Sequence, residues 1–358
     1  MDRGAEEVAS IVRDQADRLF RELATRERLA QADRGPWPAA IWQAVEDAGL
    51  PGALVPEAQG GVGLDAASGL RLIRRSGYHT LPVPLAESMI GVALWAQASG
   101  EIVQGAVSLA PCNPSDSVRL EHRGDGCALH GTLRRVPWAT QVKHILLHAG
   151  GPDGANQLVL MPAGHASARP LRNLAGEPRD TLSLDGLIVP LSAVRPAPAR
   201  CSSGLLALGA LARAQQLAGA MERALDYALT YAQERKQFGR PIGKFQAIQH
   251  LLAEAAGQYA AATAAADLAI DAWDGDDFVF AVALAKARTG EAAGKVAEVV
   301  HQVHGAMGFT QEHPLHFATR RLWSWRDEFG ADAYWQERIG RQICAAGSAA
   351  LWPRLAGA

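Results

Sequence analysis

Apolar residues recur at helical spacing near the start of the chain. Val8, Ile11, Val12, Ala16, Leu19 and Phe20 fall on one face of a 3.6-residue repeat. This predicts an amphipathic helix, and a second helix over 39–48 stops at Gly49. Between about 103 and 197 the period changes. Ile145-Leu-Leu-His, Leu158-Val-Leu-Met and Thr181 to Val189 are short runs bounded by Gly, Pro and Asp, and Cys127 to Val136 mixes apolar and polar residues around Gly131. These runs predict a small antiparallel β-domain. From Gly204 the helical pattern returns. Leu217, Met221, Leu225, Ala228 and Ala232 form one stripe of a long helix expected to begin after Ser202-Ser203 and to end at Pro241. Two further long helices are predicted over about 245–273 and 278–303, with two shorter ones after Pro314. The predicted fold class is mainly α with a small β-domain: a helical domain over 1–102, a β-domain over 103–198 and a helical bundle over 199–358.

Composition narrows the setting. Hydrophobic residues make up 48% of the 358, enough for a sizeable core, and aromatics only 6%, so alanine and leucine carry the apolar content and favour helix. A formal net charge of -2 argues against a nucleic-acid partner or a polybasic membrane surface. No apolar run is long enough to insert into a bilayer, and the charged N-terminus is not a signal peptide. Cys112, Cys127, Cys201 and Cys344 have no metal-ligand spacing and suit a reduced compartment. His313 and His316 flank Pro314 without a third ligand, so no metal site is expected. These points together predict a cytoplasmic protein.

Two stretches carry candidate chemistry. Tyr231 to Gln246 joins two helices and holds Arg235, Gln237, Phe238, Gly239 and Gln246 at fixed spacing. A guanidinium donates two parallel hydrogen bonds to phosphate oxygens and stays charged at any working pH. An isolated arginine here would more simply form a salt bridge near a helix end. The second stretch, His301-Gln-Val-His-Gly-Ala-Met-Gly-Phe309, follows a long helix. Alone it would be a C-cap turn. The glycine-rich loop Val55 to Leu64 does not fit the spacing of a dinucleotide fingerprint.

The first stretch closely resembles the Arg-x-x-Phe-Gly…Gln signature of acyl-CoA dehydrogenases. The second resembles that family's Gln-x-x-Gly-Gly-x-Gly-Phe, with Gln302, Gly305 and Gly308 matching and Ala306 replacing a glycine. The loop at 55–64 resembles the family's Pro-Glu-x-x-Gly-Gly-x-Gly. The order of the three segments agrees with that family over nearly the whole chain. The resemblance implies FAD, with Arg235 and its neighbours reaching the pyrophosphate across a subunit interface and the 302–308 turn packing on the adenosine side. It implies α,β-dehydrogenation of an acyl-CoA thioester and electron transfer to an electron-transfer flavoprotein. It also implies a homodimer or tetramer, or an assembly with a second acyl-CoA dehydrogenase subunit. Within the β-domain, Gly131 to Ala139 stands in for a Trp-x-Thr-like flavin-covering segment and brings Val136, Pro137 or Trp138 near the flavin.

The catalytic base does not fall into place. Counting from Pro314 puts Phe329 where the family keeps its glutamate, with Glu328 one residue early. The other position, used by a few relatives, reads Gly209, and no acid occurs from Cys201 to Met221. Two alternatives follow. Glu328 serves as the base through a one-residue shift, or the chain has none and completes the FAD site of a partner subunit. A one-residue shift on a helix turns a side chain by about 100°, which favours the second. The clustered Trp323, Trp325 and Trp335 suggest an apolar assembly interface on the C-terminal helices.

Overall fold

The computed structural model describes residues 3–349 and Trp352, apart from residues 34, 36, 152, 153, 202 and 203. Ser202-Ser203, after which the long helix is expected to begin, lie outside the described residues, and the helix itself begins at Leu206. Five helices come first: α1 (Arg3–Leu23), α2 (Arg26–Asp33), α3 (Ala39–Asp47), α4 (Ala66–Tyr78) and α5 (Leu85–Ser99). α1 turns Ala16, Phe20 and Leu23 into the core but leaves Val8 and Ile11 about half exposed, so the predicted apolar face is buried only in its second half. α4 begins where the Asp65 carboxylate accepts the backbone N–H of Ser68, a side-chain cap that satisfies one orphan donor. α5 is apolar nearly all round and is buried over most of its length, as such a helix must be.

Ten strands follow: β1 (Val107–Ala110), β2 (Arg119–Arg123), β3 (Gly126–His130), β4 (Thr132–Pro137), β5 (His144–Gly150), β6 (Asn156–Pro162), β7 (Ser167–Arg169), β8 (Arg179–Ser183), β9 (Leu187–Pro190) and β10 (Val194–Pro196). They make two sheets. One runs β10-β6-β5-β2-β3-β9 with β1 added on β5, and the other is β4-β8-β7. The predicted Cys127–Val136 run is split at Gly131, so that β3 and β4 belong to different sheets. The expectation of a purely antiparallel domain also fails, because β1 pairs parallel with β5, Val107 lying opposite His144. The chain between them is long enough for the crossover that parallel pairing requires. β4 carries a register shift between Leu133 and Val136, and Arg135 there adopts a positive φ of 59°.

The bundle consists of α6 (Leu206–Glu234), a two-stranded hairpin of β11 (Lys236–Gln237) and β12 (Arg240–Pro241), then α7 (Gln246–Asp271), α8 (Phe278–His304), α9 (Leu315–Trp325) and α10 (Asp332–Ala346). α6 and α8 form its buried centre. Trp325 and Trp335 are 2% and 1% exposed, so they build the protomer's own core, and the interface expected of them is corrected on that ground. The exposed small-residue face belongs to α7, through Ala253, Gly257, Ala260 and Ala264. Among the described residues no helix is long and apolar enough to cross a membrane.

Candidate functional site

α6 ends at Arg235, and the chain turns back at once through the hairpin. Phe238 and Gly239 are its two central residues, with φ of 51° and 78°. A two-residue turn with both φ values positive matches the twist of the paired strands. Glycine meets that demand freely, whereas Phe238 is strained there and is 92% exposed. Its ring meets Phe245 edge-on at 6.1 Å and adds little to the protomer's own core. Gln237 pairs with Arg240 across the hairpin, and Gln246 opens α7; both are exposed. Arg235, Lys236, Arg240 and Lys244 all face solvent, and among the described residues none of them is in an ion pair. Arg240 lies over the Phe245 ring at 4.3 Å.

The second element sits at the same end of the bundle. Tyr231, four residues before Arg235, stacks on His304, one residue before Gly305, at 4.6 Å. Gln302, Gly305 and Ala306 are exposed, while Gly308 is buried. Phe309 is 72% exposed, although its ring stacks on His301 at 4.4 Å. The turn thus rests on a floor of aromatic and imidazole rings. His313, 4.6 Å from His304, is pushed down to about 4, chiefly by burial, so it is uncharged at neutral pH. Among the described residues, no group of three or more His, Cys, Asp or Glu could hold a metal ion.

The remaining sequence-derived residues lie in the interior, at the junction of the three segments. Val136 is fully buried opposite Asp180, and Pro137 lies opposite Arg179. Pro137 has no N–H to offer a ligand, and its carbonyl already accepts from the Ser108 hydroxyl. Glu328 is held by three donors: Arg179 Nε at 2.7 Å, Asn173 at 3.0 Å and Arg213 Nε at 2.7 Å. Burial alone would raise its pKa, but Arg179 and Arg213 overcome this and hold the carboxyl at about 2. The charges continue outward, with Arg213 pairing with Glu87, and Arg179 and Arg321 pairing with Glu177. All six are nearly inaccessible. Beside them Phe329, with a φ of 53°, presses its ring against α6. A Cβ placed on Gly209 would lie 2.0 Å from that ring. Lys286 donates to the carbonyls of Arg326 and Gly330 and pins the turn that carries both residues.

A cavity of about 160 Å³ opens at this junction, lined by Cys112, Arg135, Pro137, Glu328 and Phe329 among others. Sites for small molecules usually enclose about 300–1,000 Å³. That cavity is smaller than such sites usually are. The surface elements, in contrast, fit a dinucleotide: four unpaired cations for a diphosphate, and beside them an exposed turn that admits close approach. The sequence reading missed Glu87, Asn173, Glu177, Arg179, Arg213 and Arg321. Only the absence of any acid near Gly209 hinted that the interior is unusual.

The sequence signature of the acyl-CoA dehydrogenase C-terminal domain matches residues 200–344. The 3-sulfinopropanoyl-CoA desulfinase of Paraburkholderia xenovorans is 35% identical over 214 residues, which span 55% of this chain and 55% of that protein. The glutaryl-CoA dehydrogenase of Desulfococcus multivorans is 29% identical over 308 residues, spanning 75% of this chain and 78% of that one. Among solved structures, a variant of the Tcur3481-Tcur3483 steroid ACAD is similar with a TM-score of 0.85 and 26% identity, covering 96% of this chain and 99% of that chain. The ChsE4-ChsE5 complex from Mycobacterium tuberculosis has the same TM-score at 23% identity, covering 96% of this chain and 98% of that one.

Proposed function

Because the chain belongs to the acyl-CoA dehydrogenase family of FAD-dependent oxidoreductases, we propose that it serves α,β-dehydrogenation of an acyl-CoA thioester as the subunit that completes a flavin site, the catalytic glutamate coming from a second subunit. The observation that carries this reading is Phe329 packed on Gly209. Both places where the glutamate could stand are thereby filled, one by a ring and the other by the space that ring needs.

The reaction requires a base for the α-proton while the β-hydride leaves, and donors that stabilise the charge on the thioester oxygen. FAD, when bound, accepts that hydride. Glu328 is a poor base: two arginines stabilise its charged form, and both of its oxygens already accept hydrogen bonds. This chain's contribution is binding. Arg235, with Lys236, Arg240 and Lys244 around it, holds the diphosphate. Gln302, Gly305 and Ala306 lie along the adenosine half. Gln237, Phe238 and Gln246 seat the corner on the partner. Reducing equivalents pass to an electron-transfer flavoprotein, and the assembly works in the cytoplasm. The solved ChsE4-ChsE5 complex, made of two differently named chains, supports a heteromeric arrangement.

The test is expression of the chain alone and with a second acyl-CoA dehydrogenase subunit. Alone it should retain little flavin and show no bleaching with acyl-CoA; together they should bind flavin and turn over. Flavin reduction by acyl-CoA in the isolated chain, lost in Glu328→Gln, would overturn the reading.

A further inference from the structure

A second cleft, of about 390 Å³, opens between α5, the loop over 54–66 and the Arg200 and Trp273 ends of the bundle. It shares no residue with the corner, the turn or the filled interior. Its size falls within the range of about 300–1,000 Å³ typical of small-molecule sites. The walls are mostly apolar. Leu64, Ile90 and Leu94 are buried, and Leu54 and Trp273 complete the surface. An apolar cleft with few polar groups fixes its ligand through those few groups.

Arg200 is the charged one. Its guanidinium stacks on the Trp273 ring at 3.9 Å. One amino group donates to the Trp273 carbonyl at 2.8 Å and the other to Asp274 at 2.8 Å. The stacking orients the fork, and the Asp274 side chain, 83% exposed, is a weak competitor. Exposed ion pairs contribute only about 0–1 kcal/mol, so an incoming carboxylate that also buries apolar surface can displace Asp274. Arginine is suited to carboxylate because its parallel N–H groups match both oxygens.

We infer that this cleft binds an amphipathic monocarboxylate, with its apolar body against Leu54, Leu64, Ile90 and Leu94 and its carboxylate on Arg200. The site is independent of the flavin reading and stands or falls without it.

Calorimetric titration of the full chain with decanoate, and with decanol as the uncharged control, tests the inference. Decanoate should bind saturably at a single site and more tightly than decanol. Arg200→Gln should weaken decanoate by about tenfold or more, the worth of a charged hydrogen bond, and leave decanol unchanged. Asp274→Asn should tighten decanoate alone, an effect that a merely structural role would not produce. Leu94→Trp, or Ala93→Phe if the first variant fails to fold, should remove both. The inference is wrong if decanoate does not saturate below its micelle concentration. Binding that survives the cavity-filling variants also sinks it, as does an equal response of both ligands to Arg200→Gln.

Discussion

The Phe329 ring lies in the space that a side chain at position 209 would need, its nearest carbon 2.0 Å from where a Cβ would stand. The expected consequence is measurable. Gly209→Ala should lower stability by about 1–3 kcal/mol through overpacking, even though alanine in a helix interior ordinarily gains up to about 1 kcal/mol. In a Phe329→Leu background the same substitution should cost less or become favourable. Urea denaturation of the four proteins gives the coupling, and additive effects would show that the two residues do not share that space.

Glu328→Gln separates structure from chemistry. Removing a buried charge held by Arg179 and Arg213 leaves each arginine with one carboxylate partner, Glu177 and Glu87 respectively, so the loss should be towards the lower end of the about 3–5 kcal/mol typical of a broken buried pair. Turnover per assembled, flavin-loaded complex should be unchanged. Because the folded carboxyl titrates at about 2 against an ordinary 4.5, its stabilisation is complete above about 4.5 and disappears as pH falls towards 2. Thermal melts across that window should show a steeper acid loss for the unsubstituted chain than for the variant.

Arg235→Ala should weaken FAD retention in the assembled complex by about 1.5–3 kcal/mol, the worth of hydrogen bonds to a charged group. Flavin absorbance after gel filtration at falling protein concentration measures it. The fold should be unaffected, since Arg235 is exposed. Unchanged flavin content would remove Arg235 from the cofactor site.

Much of this organisation can be read from residue order alone, and the reason is local. The α6 stripe and the α8 span over Phe278–His304 depend on neighbours within a few turns, whereas the helix end expected at Pro241 falls earlier, at Glu234, because the hairpin takes up the residues between. The corner and the turn are legible for the same reason, each being one short segment. The hairpin at 236–241 was missed because strands of two residues carry no alternation. The ion network was invisible because Glu87, Arg179, Arg213 and Glu328 come from four distant parts of the chain and meet only once the three segments pack. Counting from Pro314 placed Phe329 at the glutamate position, but nothing in the order of residues shows that its ring faces Gly209.

Lys286 offers a prediction at the other end of the pH scale. Burial pushes it down to about 7 from an ordinary 10.5. The unfolded chain therefore holds a proton between those values that the folded chain has released, and stability should rise with pH across that interval by a few kcal/mol. Lys286→Met should flatten the rise. Chemical denaturation at pH 7 and pH 10 for both proteins gives the comparison, and parallel slopes would mean that Lys286 stays charged throughout.

The exposed small-residue face of α7 should lie in an assembly interface, since an exposed helix face of this composition needs a cover. Ala260→Arg should leave the fold intact and lower the mass measured by light scattering. An unaltered mass would place the interface elsewhere.

The filled interior makes any loss of chemistry here a ratchet. A glutamate installed at 329 would arrive near Arg213, whose guanidinium lies 5.4 Å from the Phe329 ring centre and would favour its ionised form. A glutamate installed at 209 would collide with Phe329. Recovering a proton acceptor therefore demands that the volume Phe329 fills be vacated and the pull of Arg213 be offset as well. If the proposed division of labour holds, no single substitution leads back, and the fate of this chain is tied to that of the subunit that carries the base.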